Sequence, residues 1–419
     1  MSAKDDGPNE LLPKTQPRPA HDGVRVRAWI TLFGAWLDIA ATFGYMFTFG
    51  IYQDIYTRAD VASASGVRWI GATQFSVFFA TSLPAGLLHD SGHGRTVVNL
   101  GSFMFTFSLF MLSFIDSGDR YFKPLFTQGI AMGIGAGLVC IPSLDAQADH
   151  WGARSTLAMG VASTGLFAGG TFFSILLTQL LHHGVSSAWN VRASAFVVLG
   201  MLLVANACMR RSCPRALPPK GDKRTSMVEL VTDAPYMCAA IGALFTNWGI
   251  YFTYFYHLPQ AVIDEGMDRT FAFYTPAILC GAAVPGGIFS NLVATKCGTI
   301  NAFPTMSLFC LVLTMPFLPN SIAGVAIIAP ISGIVAGAWI SLLAPVFRAM
   351  STNTRDCGAR LGFAFAVSAV AVLIGTPVND WLLGPRSTPH FEWAPPAVVS
   401  ILMTGAGAIL CGTAQCLIE

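Results

Sequence analysis

Long apolar runs separated by short polar turns account for most of the chain. Twelve of them reach or approach the roughly 20 apolar residues that a helix needs to cross a hydrocarbon core. They lie at about 29–53, 67–88, 96–115, 122–147, 156–181, 192–209, 234–256, 271–294, 301–319, 321–346, 359–381 and 395–417. The boundary at Pro319 and Asn320 is the softest, because almost nothing polar separates the two runs there. The longest internal polar stretch, from Arg210 to about Glu229, divides the runs six and six and suggests an internal repeat. The expected fold is an all-α membrane protein of twelve transmembrane helices in two six-helix pseudo-symmetric halves. The plan is a disordered tail at 1–27, a bundle at 28–209, a basic linker at 210–232 and a second bundle at 233–419.

Composition agrees with a lipid solvent. Hydrophobic residues make up 53% and charged residues 11% of the 419 positions, where a soluble domain carries about 25% charge. Mean hydropathy is +0.58. A formal charge of +2 gives no reason to expect nucleic acid as a partner. The ten cysteines stand in no CxxC or Cys/His arrangement, so no metal site, disulfide framework or cofactor is expected. The N-terminal tail lacks the short apolar core and cleavage site of a secretory signal.

Charge placement sets the expected orientation. With the N-terminus inside, all but seven of the 24 Lys and Arg fall on the cytosolic side. The exceptions are Arg58, Arg68, Arg120, Lys123, Arg192, Arg269 and Arg386. Both termini are then expected in the cytosol, with the plasma membrane as the default location.

Four stretches carry a family resemblance. After run two comes Gly86, Asp90, Gly92, Gly94 and Arg95; run four holds Gln128, Gly129, Gly133, Gly135 and Gly137. Run five opens with Arg154, Leu157, Ala158, Gly160, Ala162 and Gly165, and run eleven contains Arg360, Gly362, Gly375, Thr376 and Pro377. In order and spacing these resemble the major facilitator superfamily, and within it the fungal monocarboxylate-transporter-like branch. The resemblance implies that Gly86, Asp90, Arg95 and Arg154 form a conformational latch; a solvated turn is the competing reading. Two departures stand out. Phe47 occupies the place of the lysine that anchors substrate in animal monocarboxylate carriers, and Gly287 that of the arginine common in span eight. Small residues also permit close helix approach in lipid, so the stripes in runs four and five suit packing as well as sliding.

Polar groups inside the runs are candidates for function, because an acidic side chain at the bilayer centre costs about 2.5–3.5 kcal/mol on insertion scales. Asp38 is the clearest, about ten residues into run one, with Thr42 and Tyr45 expected on its face. It is a candidate proton carrier, or a carboxylate tied to a neighbouring helix. Run seven offers Asn247, Trp248, Tyr251 and Tyr254, a set suited to stacking and hydrogen bonding with a planar solute or simply to packing. Gln74 and Trp339 are weaker candidates. Asp145 and Asp149 suit a gate or a solvated helix end equally.

The function expected is secondary transport by alternating access. The solute would be a monocarboxylate or related small organic metabolite, driven by protons or moving by facilitated diffusion. The alternatives are export of a neutral or apolar secondary metabolite and a non-transporting membrane sensor. The chain shows no phosphate-binding GxxxxGK[ST] signature of a transport ATPase and no catalytic constellation in its spans, so it is not expected to be an enzyme.

Overall fold

The computed structural model describes residues 22–59, 61–115, 121–209, 227–250, 269–314, 322–351, 356–383 and 394–418. Tyr251, Tyr254 and most of the basic linker lie outside the described residues, as does the joint at Pro319 and Asn320.

Twelve helical spans follow the twelve apolar runs. Span 1 is Asp22–Ile39, continued by a widened π-helical stretch, Ala40–Gly44, and by Phe49–Arg58. Spans 2 and 3, Ala64–Leu88 and Gly94–Leu112, meet at the turn His89–His93. Span 4 passes through π-helical Leu125–Ala131 before settling into α-helix at Met132–Trp151. Spans 5 and 6 are Ser155–His182 and Ser187–Met209. The second half repeats the plan with spans 7 and 8, Ala234–Ile250 and Arg269–Cys297, and spans 9 and 10, Thr299–Thr314 and Ile322–Ala349. Spans 11 and 12, Cys357–Leu383 and Ala394–Ile418, complete it.

Among the described residues nine helical stretches are long and apolar enough to cross a membrane. Spans 2 and 3 count there as one stretch, and spans 7 and 9 are described over only 17 and 16 residues. Two boundaries differ from expectation. Helix begins at Asp22, inside the expected tail, and Met227–Thr232 at the end of the expected linker is helical. A nucleated helix extends through its polar flank because each added residue contributes one more backbone hydrogen bond.

Small residues decide which spans touch. Side chains added at Gly133 and Gly137 of span 4 would press on the carbonyl oxygens of Gln74 and Phe78, so that stripe seats span 2. Gly165 and Gly169 of span 5 abut the backbone of Trp36 and Ala40. These two stripes therefore bind neighbours within one half rather than letting spans 4 and 5 slide on each other. The outward faces carry large apolar side chains such as Phe103, Phe289, Leu402 and Ile409, each more than 60% exposed, as a lipid-facing surface requires.

The halves meet along two seams. Span 2 lies on span 11, with Phe79 5.7 Å from Phe365. Span 5 lies on span 8, where Gln179 donates to Tyr274 at 2.7 Å at one end, and at the other end Thr156 pairs with Thr299 at the start of span 9 at 3.5 Å.

Candidate functional site

The end of the molecule that holds Arg154, Lys296, Arg348 and Arg360, called the basic face here, is closed. Gly86 is essential to this closure: any Cβ there would overlap the Gly358 carbonyl oxygen across the seam. Four residues on, Asp90 accepts hydrogen bonds from the backbone N–H groups of Gly358 at 3.2 Å and Ala359 at 2.7 Å. These are orphan donors of the first turn of span 11, where a carboxylate also meets the positive end of the helix dipole. Gly92 has φ of +85°, a conformation that side-chain-bearing residues rarely adopt, and it turns the chain from span 2 into span 3.

Beside Asp90 stands an ion pair that the sequence left undecided. Asp145, its side chain 2% exposed, accepts from Arg348 Nη1 at 2.8 Å across the two halves and lies 3.2 Å from His89 Nε2 within its own half. Arg360 joins Asp233 at 3.0 Å and the Met350 carbonyl at 3.1 Å, tying the entry of span 7 to spans 10 and 11. Of the residues expected in the latch, Gly86 and Asp90 contact span 11, and Arg95 stands exposed at the start of span 3. Arg154 is not brought into the latch: it is exposed on the turn after Gly152 and makes no ion pair among the described residues.

At mid-depth the candidate residues divide between the interiors of the two bundles. Asp38 is completely buried, with its carboxylate against span 4. Ser143 Oγ donates to its Oδ2 at 3.1 Å and also lies 3.8 Å from Met209 Sδ. Thr42 shares this position only through its hydroxyl, which donates to the Asp38 carbonyl at 2.7 Å. Tyr45 does not share the face of Asp38. Its hydroxyl bonds Ser194 Oγ at 2.9 Å and the Tyr52 hydroxyl, deeper toward span 6. The intervening Ala40–Gly44 stretch is π-helical, and its wider turns advance less per residue than the 3.6-residue spacing behind the expectation. Gln74 points to span 4, donating to Met132 Sδ at 2.9 Å.

In the second half, the structure brings two candidates together. Trp339 Nε1 donates to Asn247 Oδ1 at 2.9 Å, and Asn247 Nδ2 donates to Ser368 Oγ at 3.2 Å. Trp339 stacks on Phe303 with centroids 4.6 Å apart. The Asn247 amide thereby joins spans 7, 10 and 11 through both its oxygen and its nitrogen, and the ring stack adds span 9. Trp248 packs against Gly375 with its indole N–H buried and without a hydrogen-bond partner among the described residues.

The seams at this depth are apolar or neutral. Phe47 sits among Phe43, Phe75 and Phe167 at centroid distances of 5.5–6.5 Å. A side chain at Gly287 would meet Ser341 Oγ at 3.1 Å and Thr164 Cγ2 at 3.2 Å, which leaves an arginine little room to start. Around it Asn291 donates to Ser341 Oγ at 3.0 Å, and Trp36 donates to Thr164 at 3.3 Å. Sequence reasoning passed over Ser143, Ser341 and Asn291; the signal available was a hydroxyl or amide inside an otherwise apolar run. No group of three or more metal-binding side chains is present among the described residues.

Two six-helix halves, closed on one face by ion pairs and helix-end contacts across seams of small residues, define a helical membrane transporter. The Major Facilitator Superfamily model matches residues 28–376, and the chain belongs to that family. It is similar to the aspyridones efflux protein apdF of Emericella nidulans, with 31% identity over 88% of this chain and 74% of the relative. Similarity extends to the agnestins efflux protein AgnL12 of Paecilomyces divaricatus, at 29% identity over 86% of this chain and 82% of that one. Among solved structures it resembles the transporter FucP in its outward conformation, with a TM-score of 0.62 at 14% identity, covering 92% of this chain and 98% of that one. The last likeness concerns the fold alone.

Proposed function

We propose that this transporter exports neutral or apolar ring-bearing secondary metabolites by alternating access, coupled to protons through Asp38. The observation that carries the reading is the neutrality of the seams at mid-depth. Phe47 and Gly287 stand where carboxylate-binding cations stand in monocarboxylate carriers, and the surroundings are phenyl rings, hydroxyls and amides. A carboxylate drawn into such a site would lose hydration without gaining a cation, which costs several kcal/mol. An apolar ring gains about 25 cal/mol per Å² of surface removed from water. The efflux proteins among its relatives support the same direction of transport. The basic face is assigned to the cytosol, the plasma membrane is its expected location, and the state described is closed to the cytosol.

Reconstitution in liposomes tests this. Uptake into inside-out vesicles is expected for aspyridones or agnestins, stimulated by a proton gradient, and not for labelled lactate or pyruvate. Lactate uptake with no competition from the ring compounds would overturn the proposal and restore a monocarboxylate carrier.

A further inference from the structure

The geometry points to Ser143 as the positioning partner of a protonation site at Asp38, its hydroxyl turning between Asp38 and Met209 as the carboxyl loses and gains a proton. This deepens the proton-coupled reading above and rests on it for its role in transport.

Asp38 makes no ion pair among the described residues. Its Oδ2 accepts one hydrogen bond, from Ser143, and its Oδ1 is buried with no partner among the described residues. One hydrogen bond offsets only part of the desolvation cost of a carboxylate. The Ser143 hydroxyl has two acceptors in reach, Asp38 Oδ2 at 3.1 Å and the weakly accepting Met209 Sδ at 3.8 Å. With Asp38 ionised, Ser143 donates to Oδ2. With the proton on Oδ2, Asp38 donates to Ser143 Oγ, and the serine hydrogen turns to the sulfur. In both protonation states the Asp38–Ser143 hydrogen bond is therefore kept, with its direction reversed at the cost of one hydroxyl rotation. The proton comes from bulk water and returns to it; no other bond forms or breaks.

The other ionisable groups on the packed elements do not compete. Span 4 contributes Cys140, Asp145, Asp149 and His150, span 6 contributes Arg192 and Cys208, and span 1 contributes Arg27, Tyr45, Tyr52, Asp54, Tyr56 and Arg58. Asp145 is held by Arg348 and His89, and none of these groups bonds the Asp38 carboxyl among the described residues. The site can reach the helix packing directly. A Cβ at Gly34 of span 1 would lie 2.9 Å from Met209 Cγ, and Thr42 holds the Asp38 carbonyl where the π-helical stretch begins. Protonation would thus be felt where span 1 packs on spans 4 and 6, without contact between Asp38 and the solute.

Infrared difference spectroscopy of the purified full chain across pH tests this, read at the carbonyl stretch of a protonated carboxylic acid. A band that vanishes in Asp38→Asn is expected. Ser143→Ala removes a donor to the carboxylate, so proton affinity should rise roughly tenfold or more and the band should change frequency. Met209→Leu removes the second acceptor and should shift affinity the opposite way, while Ser143→Thr keeps the hydroxyl and should restore the native profile. A merely structural serine would not give opposite shifts. A titrating band that Ser143→Ala and Met209→Leu leave unmoved would overturn the inference, as would no Asp38-dependent band. Opposite shifts in a protein whose transport ignores the proton gradient would uphold the site and refute only the coupling proposed above.

Discussion

Asp145 of span 4 and Arg348 of span 10 meet at 2.8 Å although 203 positions separate them, and their contact joins the two halves at the basic face. For this face to open, the pair, the Asp90 contact with span 11 and the Thr156–Thr299 contact must separate.

Asp145→Asn should favour the open basic face by about 2–5 kcal/mol, the usual cost of removing one partner from a buried charge pair. Alkylation of a cysteine placed in the exposed interior would then speed up from that side. The exchange Asp145→Arg with Arg348→Asp should recover part of the closure, whereas either change alone should not.

Gly86→Val tests the backbone approach of spans 2 and 11. Its side chain has no space beside the Gly358 carbonyl, so the closed arrangement cannot form unchanged. The variant should fold, because the packing of each half is untouched, but it should lose transport and crosslink poorly between residues 82 and 362. Native transport by Gly86→Val would remove this contact from the cycle.

The Asn247 amide is a bolt rather than a free recognition group. Trp339→Phe keeps the stack on Phe303 but strands Asn247 Oδ1, which should lower stability by about 1–3 kcal/mol. Thermal unfolding of the purified protein would show it. Asn247→Leu with Trp339→Phe removes both partners and should cost less than the sum of the single changes.

Phe47→Lys or Gly287→Arg should not create a monocarboxylate carrier. The lysine would be enclosed by phenyl rings, and the arginine has Ser341 and Thr164 against its Cβ. An unpaired charge in such surroundings costs several kcal/mol. Reduced yield of folded protein is expected, and strong gain of lactate uptake in either variant would contradict the neutral-seam reading.

The local chemistry of the chain determined the spans, their number and their division into halves. In lipid each helix satisfies its own backbone, so an apolar stretch of sufficient length specifies its span with little help from other segments. The burial of Asp38 inside an apolar run was legible for the same reason. What the tertiary structure decided was direction and partnership. Tyr45 left the face of Asp38 because five π-helical residues altered the phase of span 1. Span 4 turned Gly133 and Gly137 to span 2, and Gly135 to span 3, rather than to span 5. Asp145 became half of a cross-bundle ion pair, and Arg154 stayed outside the latch, because contacts between distant segments depend on how whole helices rotate and dock. Those rotations follow from the summed packing of many neighbours, which no single stretch of sequence contains.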